Sequence, residues 1–333
     1  MKRLYTLTLI SIGAAASVIF AGIVTIDKSK FHNDFVRIFP PHAADINSVI
    51  TIAPDRVNLA GLSAEDIYLR DRQGVLELNL NSGDTTRICL DIPFGGEVSV
   101  NDGYFIIHHG SKGLLERGSS ATWQIDSVFS KISAFTAVQM ISPTSPIVRT
   151  MNISKRQNIL TDIEGVRKKV LQKQVDGLLC TDGLLMFSEP LNQLIYLYRY
   201  RNQFIYLDTG LNAVGYGNTI DTTSVAKISV AESDGKLVMS KPPFVVNNDA
   251  CIGGRYLFVQ SNLVAKNELQ ERVEGKSVID VYNLSDASYM FSFYIENYGD
   301  SKMQEFKVKG SMLVVLFDDA LLIYELQNKY LPD

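Results

Sequence analysis

The sequence predicts an all-β protein: a β-propeller of six blades, with seven allowed, behind one N-terminal transmembrane helix. Three observations predict it. A tight turn, usually ending in Gly, is followed at once by apolar and aromatic residues, and this phrase returns. It reads Asn101-Asp102-Gly103 before Tyr104-Phe105-Ile106-Ile107, and Thr181-Asp182-Gly183 before Leu184-Leu185-Met186-Phe187. It reads Gly253-Gly254 before Tyr256-Leu257-Phe258-Val259, and Lys309-Gly310 before Met312-Leu313-Val314-Val315. Second, most steps between apolar bursts are about 40 residues, the length of a four-stranded blade. Third, beyond residue 26 no amphipathic helix is long enough to alternate with strands, which removes doubly wound α/β folds and β/α barrels.

The N-terminus comes first in the chain. Lys2-Arg3 precede an uncharged apolar run from Leu4 to Ile26. About 20 such residues cross a bilayer as a helix, and the preceding positive charge puts the N-terminus in the cytoplasm. A cleavable signal peptide is the rival, with Gly13-Ala14-Ala15-Ala16-Ser17 as a small-residue cleavage site. Because Val18-Ile19-Phe20 and Ile23-Val24 continue the run, an uncleaved anchor in the inner membrane is the expectation. Both readings place the body in the periplasm or beyond. Residues 27–47, with Pro40-Pro41, read as a stalk, and residues 48–333 as the propeller domain.

The apolar bursts fall at Ile67-Tyr68-Leu69, Tyr104-Phe105-Ile106, Ile147-Val148, Leu184-Leu185-Met186, Tyr256-Leu257-Phe258 and Leu313-Val314-Val315. A second strand set follows several of them: Val75–Leu80, Leu194–Tyr198, Val278–Tyr282 and Leu321–Tyr324. Their turns are rich in Asn, Asp, Ser and Gly, as at Asn81-Ser82-Gly83-Asp84 and Asp208-Thr209-Gly210. The step from Gly183 to Gly254 is nearly double. Either a degenerate blade, with Lys236-Leu237-Val238-Met239 as its core, or a long insertion fills it. A propeller must close its ring, so the strand at Val49–Ile52 is expected to join the sheet containing Leu321–Glu325.

Composition narrows function only by exclusion. The chain has 333 residues, a net charge of −4, and 46% apolar and 20% charged residues, so it is a folded protein without a nucleic-acid signature. Its three cysteines, Cys89, Cys180 and Cys251, show no metal-binding spacing. Cys180 and Cys251 each stand three residues before a phrase Gly, which suggests equivalent places in two blades. They read as small core residues or as a redox pair. No nucleophile elbow, P-loop, Rossmann glycine pattern, HExxH motif or EF-hand loop occurs, and no cofactor or metal is implied. His108 and His109 are adjacent on a strand and so point to opposite faces. Asp318-Asp319 reads as a hairpin turn.

Propeller sites gather at strand ends around the axis. Candidate ligand-binding residues are therefore Asp102, Asp182, Asn248 and Asp249. The polar stretch from Tyr200 to Thr223 adds Arg201, Asn202, Asn218 and Asp221, and Asn262 completes the set. Each also has an ordinary reading as turn chemistry.

Four segments carry a resemblance: Cys180-Thr181-Asp182-Gly183, Tyr200-Arg201-Asn202-Gln203-Phe204, Asn218-Thr219-Ile220-Asp221-Thr222-Thr223, and Ser277–Tyr282 leading to Phe291-Ser292-Phe293-Tyr294. Together they resemble an uncharacterised set of exported, single-anchor Bacteroidota β-propellers of the six-bladed, NHL/TolB-like type. The resemblance implies a fold and a location, and no reaction. The expectation is a membrane-anchored, periplasm-facing propeller that binds a protein partner or a small ligand at one face, without chemistry and without nucleic acid. A hydrolase or lyase acting on a carbohydrate or lactone in the channel is the first alternative. A redox-linked partner protein using Cys180 or Cys251 is the second.

Overall fold

Why the second strand of each sheet is so apolar becomes clear once the sheets are counted. The computed structural model describes residues 33–52, 57–129, 132–165, 167–233 and 236–332. The apolar run of residues 4–26 and the first part of the expected stalk lie outside these. Six four-stranded antiparallel sheets stand around one axis. The first holds β2 (Asn58–Leu62), β3 (Asp66–Arg70), β4 (Gly74–Asn79) and β5 (Thr85–Cys89). The second holds β6 (Glu97–Asn101), β7 (Tyr104–His109), β8 (Leu114–Ser119) and β9 (Gln124–Val128). The third holds β10 (Phe135–Ser142), β11 (Ser145–Asn152), β12 (Gln157–Thr161) and β13 (Arg167–Lys168). The fourth holds β14 (Gly183–Ser188), β15 (Gln193–Tyr198), β16 (Gln203–Leu207) and β17 (Ala213–Asn218).

After these comes a lone hairpin, β18 (Val230–Ser233) and β19 (Lys236–Met239). The fifth sheet holds β20 (Asn247–Gly253), β21 (Tyr256–Ser261), β22 (Lys276–Asn283) and β23 (Ser288–Glu296). The sixth holds β24 (Glu305–Lys309), β25 (Met312–Leu316) and β26 (Ala320–Leu326), closed by β1 (Ala44–Thr51) from the other end of the chain. The inner strands neighbour one another round the axis: β2 lies beside β6, β10 beside β14, β14 beside β20, β20 beside β24, and β24 beside β2. The architecture is a six-bladed propeller.

Each second strand is covered on both faces by adjacent blades, so it reads as a continuous apolar run rather than an alternating one. β15 is buried at every position after its first, and β25 likewise. The fourth strands, facing outwards, are mostly exposed, as in β5 and β9. Six apolar clusters fill the spaces between neighbouring blades. Phe258, Ile279 and Phe293 meet Val315 and Leu322 between the fifth and sixth sheets. Leu69 and Leu78 meet Leu321 and Ile323 between the first and sixth.

The expected closure is present. Val49 pairs with Leu322 and Ile50 with Leu321, with one bulge between Ile46 and Ser48. The doubled step has two causes. One is the 219–246 segment, an insertion whose hairpin is not a blade. The other is a shift in the phrase itself. Gly103, Gly254 and Gly310 sit with positive φ (82°, 62° and 59°) in the turn between the first and second strands of their sheets. Gly183 instead begins the first strand of its sheet, where a Cβ would lie 2.3 Å from the Leu197 carbonyl oxygen. A Gly followed by an apolar run reads the same at either end of a strand, which is why the four looked alike. Cys180 and Cys251 are consequently not equivalent. Cys180 precedes β14, whereas Cys251 lies within β20.

The segment expected as a stalk is, from Asn33 onwards, packed on the propeller. It runs as a strap along the outer strand of the fifth sheet, where Ser292 N–H donates to the Ile38 carbonyl at 2.7 Å and Phe39 stacks on Tyr294. Strand β1 starts at Ala44, before the expected boundary at 48. Apolar Phe35 and buried Arg37 explain the packing: neither could be left in water or in the core without partners.

Candidate functional site

The inner strands all begin at one face of the ring. That face also carries the long connections 169–182, 219–246 and 262–275, and so it is the loop-rich face. Its central opening is ringed by charge. Arg149, from the middle of β11, sends Nη2 to Asp182 Oδ1 at 2.8 Å and Nη1 to the Gly183 carbonyl at 2.9 Å. Its Nη1 also lies 2.7 Å from Tyr196 Oη. Burial works against the Arg149 charge, but Tyr196 and Asp182 raise its pKa overall. Arg199, in the β15–β16 turn, meets the other Asp182 oxygen at 3.4 Å and donates to the Asn248 carbonyl at 2.5 Å. One carboxylate thus holds two guanidinium groups from different sheets, one on a strand of the third and one in a turn of the fourth.

Two spaces meet at this cluster. One is the axial channel, about 570 Å³, lined by Ser99, His108, Gln139, Cys251 and Lys307 as well as by Asp182. The other is a hollow of about 840 Å³ on the loop-rich face over the third and fourth sheets. Its walls are Phe135, Met151, Ile153, Leu178, Leu179 and Met239, with Tyr200 beside them. Arg149, Asp182 and Thr136 line both spaces, so the hollow has apolar walls and one ionic corner. Apolar clefts of this size with polar groups at one side are the common form of small-molecule sites.

The structure brings Asp182, Asn248 and Asp249 to this face. Asp249 stands beside Lys307 and Glu305 at the channel opening, and burial pushes its carboxyl above the usual range. Glu305 is engaged by the Asn58 side chain at 2.5 Å and the Leu59 N–H at 2.7 Å. Asp102 is at the other end of the channel, in the β6–β7 turn, paired with Lys309 at 2.6 Å. It is therefore not part of the same site.

The Tyr200–Thr223 residues form a clamp rather than a display. Arg201 is fully buried, stacked on the Tyr198 ring at 3.5 Å and donating to the Gln172 carbonyl at 3.1 Å. Asn202 donates to the Asp221 carbonyl. Buried Asp221 accepts from Thr219 Oγ1 at 2.6 Å and the Thr223 N–H at 2.8 Å, and burial raises its pKa. Together they pin the start of the insertion to the β15–β16 turn. Asn218, exposed at the end of β17, pairs with Gln203 away from the opening. Asn262 donates to the Val245 carbonyl and lines a separate polar hollow of about 550 Å³ with Glu268 and Lys276.

Sequence reasoning missed Arg149, Arg199 and the apolar walls. Arg149 had a signal: a single charge inside the buried run Pro146-Ile147-Val148-Arg149. The walls had none, because Leu178 or Met151 reads like any core residue. The cysteines are unpaired. Cys180 donates to the Asp176 carbonyl within the core, and burial, with Asp249 adding, pushes the Cys251 thiol far above its ordinary value. A thiol held protonated is a poor nucleophile. Among the described residues no three His, Cys, Asp or Glu side chains are placed to hold a metal ion. No described helix is long and apolar enough to cross a membrane.

No family model matches the sequence, and no curated protein matches it. Solved structures do. A chain of the mitotic checkpoint complex is similar over 84% of this chain and 91% of its own, at 12% identity and a TM-score of 0.48. A member of the DUF4221 family from Bacteroides vulgatus is similar over 86% of this chain and 99% of its own, at 9% identity and a TM-score of 0.50. At that identity the second likeness bears on the fold, and it agrees with the six-bladed propeller.

Proposed function

We propose that the protein is a non-catalytic binding propeller, held at the inner membrane by residues 4–26 with its blades on the periplasmic side. Its ligand is a small amphiphile taken into the hollow on the loop-rich face. The observation that carries this reading is the joining of an apolar cleft of about 840 Å³ to the Arg149–Asp182–Arg199 cluster. Arg149 and Asp182 line the hollow itself, and Arg199 holds the other Asp182 oxygen from the channel side, so a polar or anionic end group fits where the hollow meets the channel beside Arg149. The apolar body would then lie along Leu178, Leu179 and Met151.

Binding is favoured over hydrolysis or lyase chemistry by how the carboxylates at the opening are used. Asp182 is tied to two arginines and Glu305 to Asn58 and the Leu59 backbone. A general acid and base pair needs two groups free to exchange protons, and here only Asp249 is biased towards protonation by burial.

The test is titration of the full chain with anilinonaphthalene sulfonate, an apolar body carrying one anionic group. Saturable binding is expected, and Leu179→Asp should abolish it while leaving the thermal midpoint close to that of the parent. Equal binding by parent and Leu179→Asp would overturn the reading.

A further inference from the structure

The strap fixes where the chain enters the propeller. Asn33 Nδ2 donates to the Val264 carbonyl at 3.0 Å, and the Phe35 carbonyl accepts from the Lys266 N–H at 2.9 Å. Val264 and Lys266 belong to the β21–β22 connection on the loop-rich face. Phe35 is buried there among Phe244, Val246 and Leu263. Arg37 then locks the strap with three partners from the fifth blade: Asp280, Glu268 and the Leu263 carbonyl. The entry point is therefore a rigid mount on the loop-rich face.

Six residues, 27–32, separate this mount from the end of the apolar run at Ile26. Even fully extended they span only about 20 Å. If residues 4–26 cross a bilayer, the loop-rich face is held within that distance of its surface. The opposite face is further away by the full height of the blades.

The exposed apolar side chains are distributed accordingly. Phe94, Met151, Ile153, Val175, Val225 and Leu269 all stand on loops or strand ends of the loop-rich face, with Phe94 at 99% and Ile153 at 79% exposure. Ile46, Ile125, Ile163 and Val214 are exposed on the loops and strand ends of the opposite face, but the four most exposed large apolar side chains of the described residues, Phe94, Ile153, Leu269 and Val225, all belong to the loop-rich face. Met151 and Ile153 are also walls of the 840 Å³ hollow. Lys112 and Lys155 follow the lining residues Ser111 and Ser154 in sequence, Lys173 lies in the 169–182 connection, and all three are exposed. Each such cation adds about 1 kcal/mol of attraction near an anionic lipid surface.

We infer that the loop-rich face rests on the membrane and that the hollow takes the acyl chain of a lipid drawn from it. This inference rests on the anchored, amphiphile-binding reading above and names its ligand. The headgroup, where anionic, meets Arg149 where the hollow joins the channel, and the acyl chain runs along Leu179, Met151 and Ile153. A short tether suits this arrangement. It presents the opening to lipid continuously, whereas a long flexible stalk would let either face approach.

The experiment uses the full chain with Cys89→Ser and Cys251→Ser, reconstituted in vesicles of phosphatidylethanolamine and phosphatidylglycerol. A fluorophore is attached at Ile153→Cys, or at Ser285→Cys on the opposite face. Flotation first reports whether the chain is anchored. A protein that does not float removes the anchored reading itself, and this inference falls with it. With a floating protein, lipids carrying a nitroxide on the acyl chain should quench the Ile153→Cys label several times more strongly than the Ser285→Cys label. Leu179→Asp should remove that excess while leaving flotation unchanged. Equal quenching of the two labels overturns the orientation, and so the inference. Quenching of the Ile153→Cys label by a headgroup nitroxide alone, or an excess that survives Leu179→Asp, overturns the acyl-chain ligand.

Discussion

Arg37 and Asp280, 243 residues apart in sequence, meet side by side: Nε lies 2.7 Å from Oδ1 and Nη2 3.0 Å from Oδ2. Glu268 and the Leu263 carbonyl take the two hydrogens of Nη1, and Phe35 lies under the guanidinium plane at 4.9 Å. Ser292 Oγ donates to the same Asp280 oxygen. Burial disfavours the Arg37 charge, and the two carboxylates more than offset this, so its pKa is raised. The pair joins the N-terminal strap to the core of the fifth blade.

Removing one partner should therefore be costly. Arg37→Met leaves Asp280 and Glu268 buried without their cation, and breaking such a pair costs about 3–5 kcal/mol. Equilibrium urea unfolding of the full chain should show that loss, with Arg37→Lys between the two because the paired geometry goes but the charge stays. A loss below about 1 kcal/mol, the range of surface ion pairs, would mean that the strap is not fastened at Arg37.

Ring closure is the second point. Among the described residues β1 is the one strand that the N-terminal part of the chain supplies to the sixth sheet, and it covers β26 from Ala44–Leu326 to Thr51–Ala320. Deleting 44–51 uncovers the β26 edge and opens the ring, so the deletion variant should lose its cooperative thermal transition. A melt unchanged by the deletion would contradict the pairing.

The third expectation concerns pH. Burial, with His109 adding, lowers the pKa of His108 to about 4. The unfolded chain takes up this proton near pH 6.5, well before the folded protein does. Stability from the neutral ring is thus fully present above about 6.5 and is lost as pH falls towards about 4. The loss is at most about 2–3 kcal/mol, since the ring is not wholly shielded. Asp221 and Asp249, whose pKa values burial raises, act in the opposite sense. Comparing His108→Gln with the parent isolates the histidine. Unfolding midpoints from pH 7 to pH 5 should fall less in the variant. Parallel curves would exclude the effect.

How much of this could be read from the chain depended on whether a feature was local. Strands β3, β7, β11, β21 and β25 were legible because burial on both faces forces an apolar run. Closure was legible because two apolar runs at opposite ends of the chain lacked partners. The place of Gly183 was not, since Asp-Gly suits the approach to a strand as well as the turn after it. At the site, Asp182 stood out as a turn carboxylate next to a strand. Its partners Arg149 and Arg199 lie 33 residues before it and 17 after it, and nothing local links them. Arg201 and Asp221 stood out as polar residues, yet they are buried and structural. Polar character marks both sites and clamps, and only the packing separates the two.

The proposed ligand sits in the hollow beside Arg149 and Asp182. The most direct measurement of this is a crystal structure of the protein soaked with anilinonaphthalene sulfonate. The rings are expected between Leu179 and Met151, with the sulfonate within hydrogen-bonding distance of Arg149. Ordered dye in the axial channel or on the opposite face, with the hollow empty, would contradict that placement.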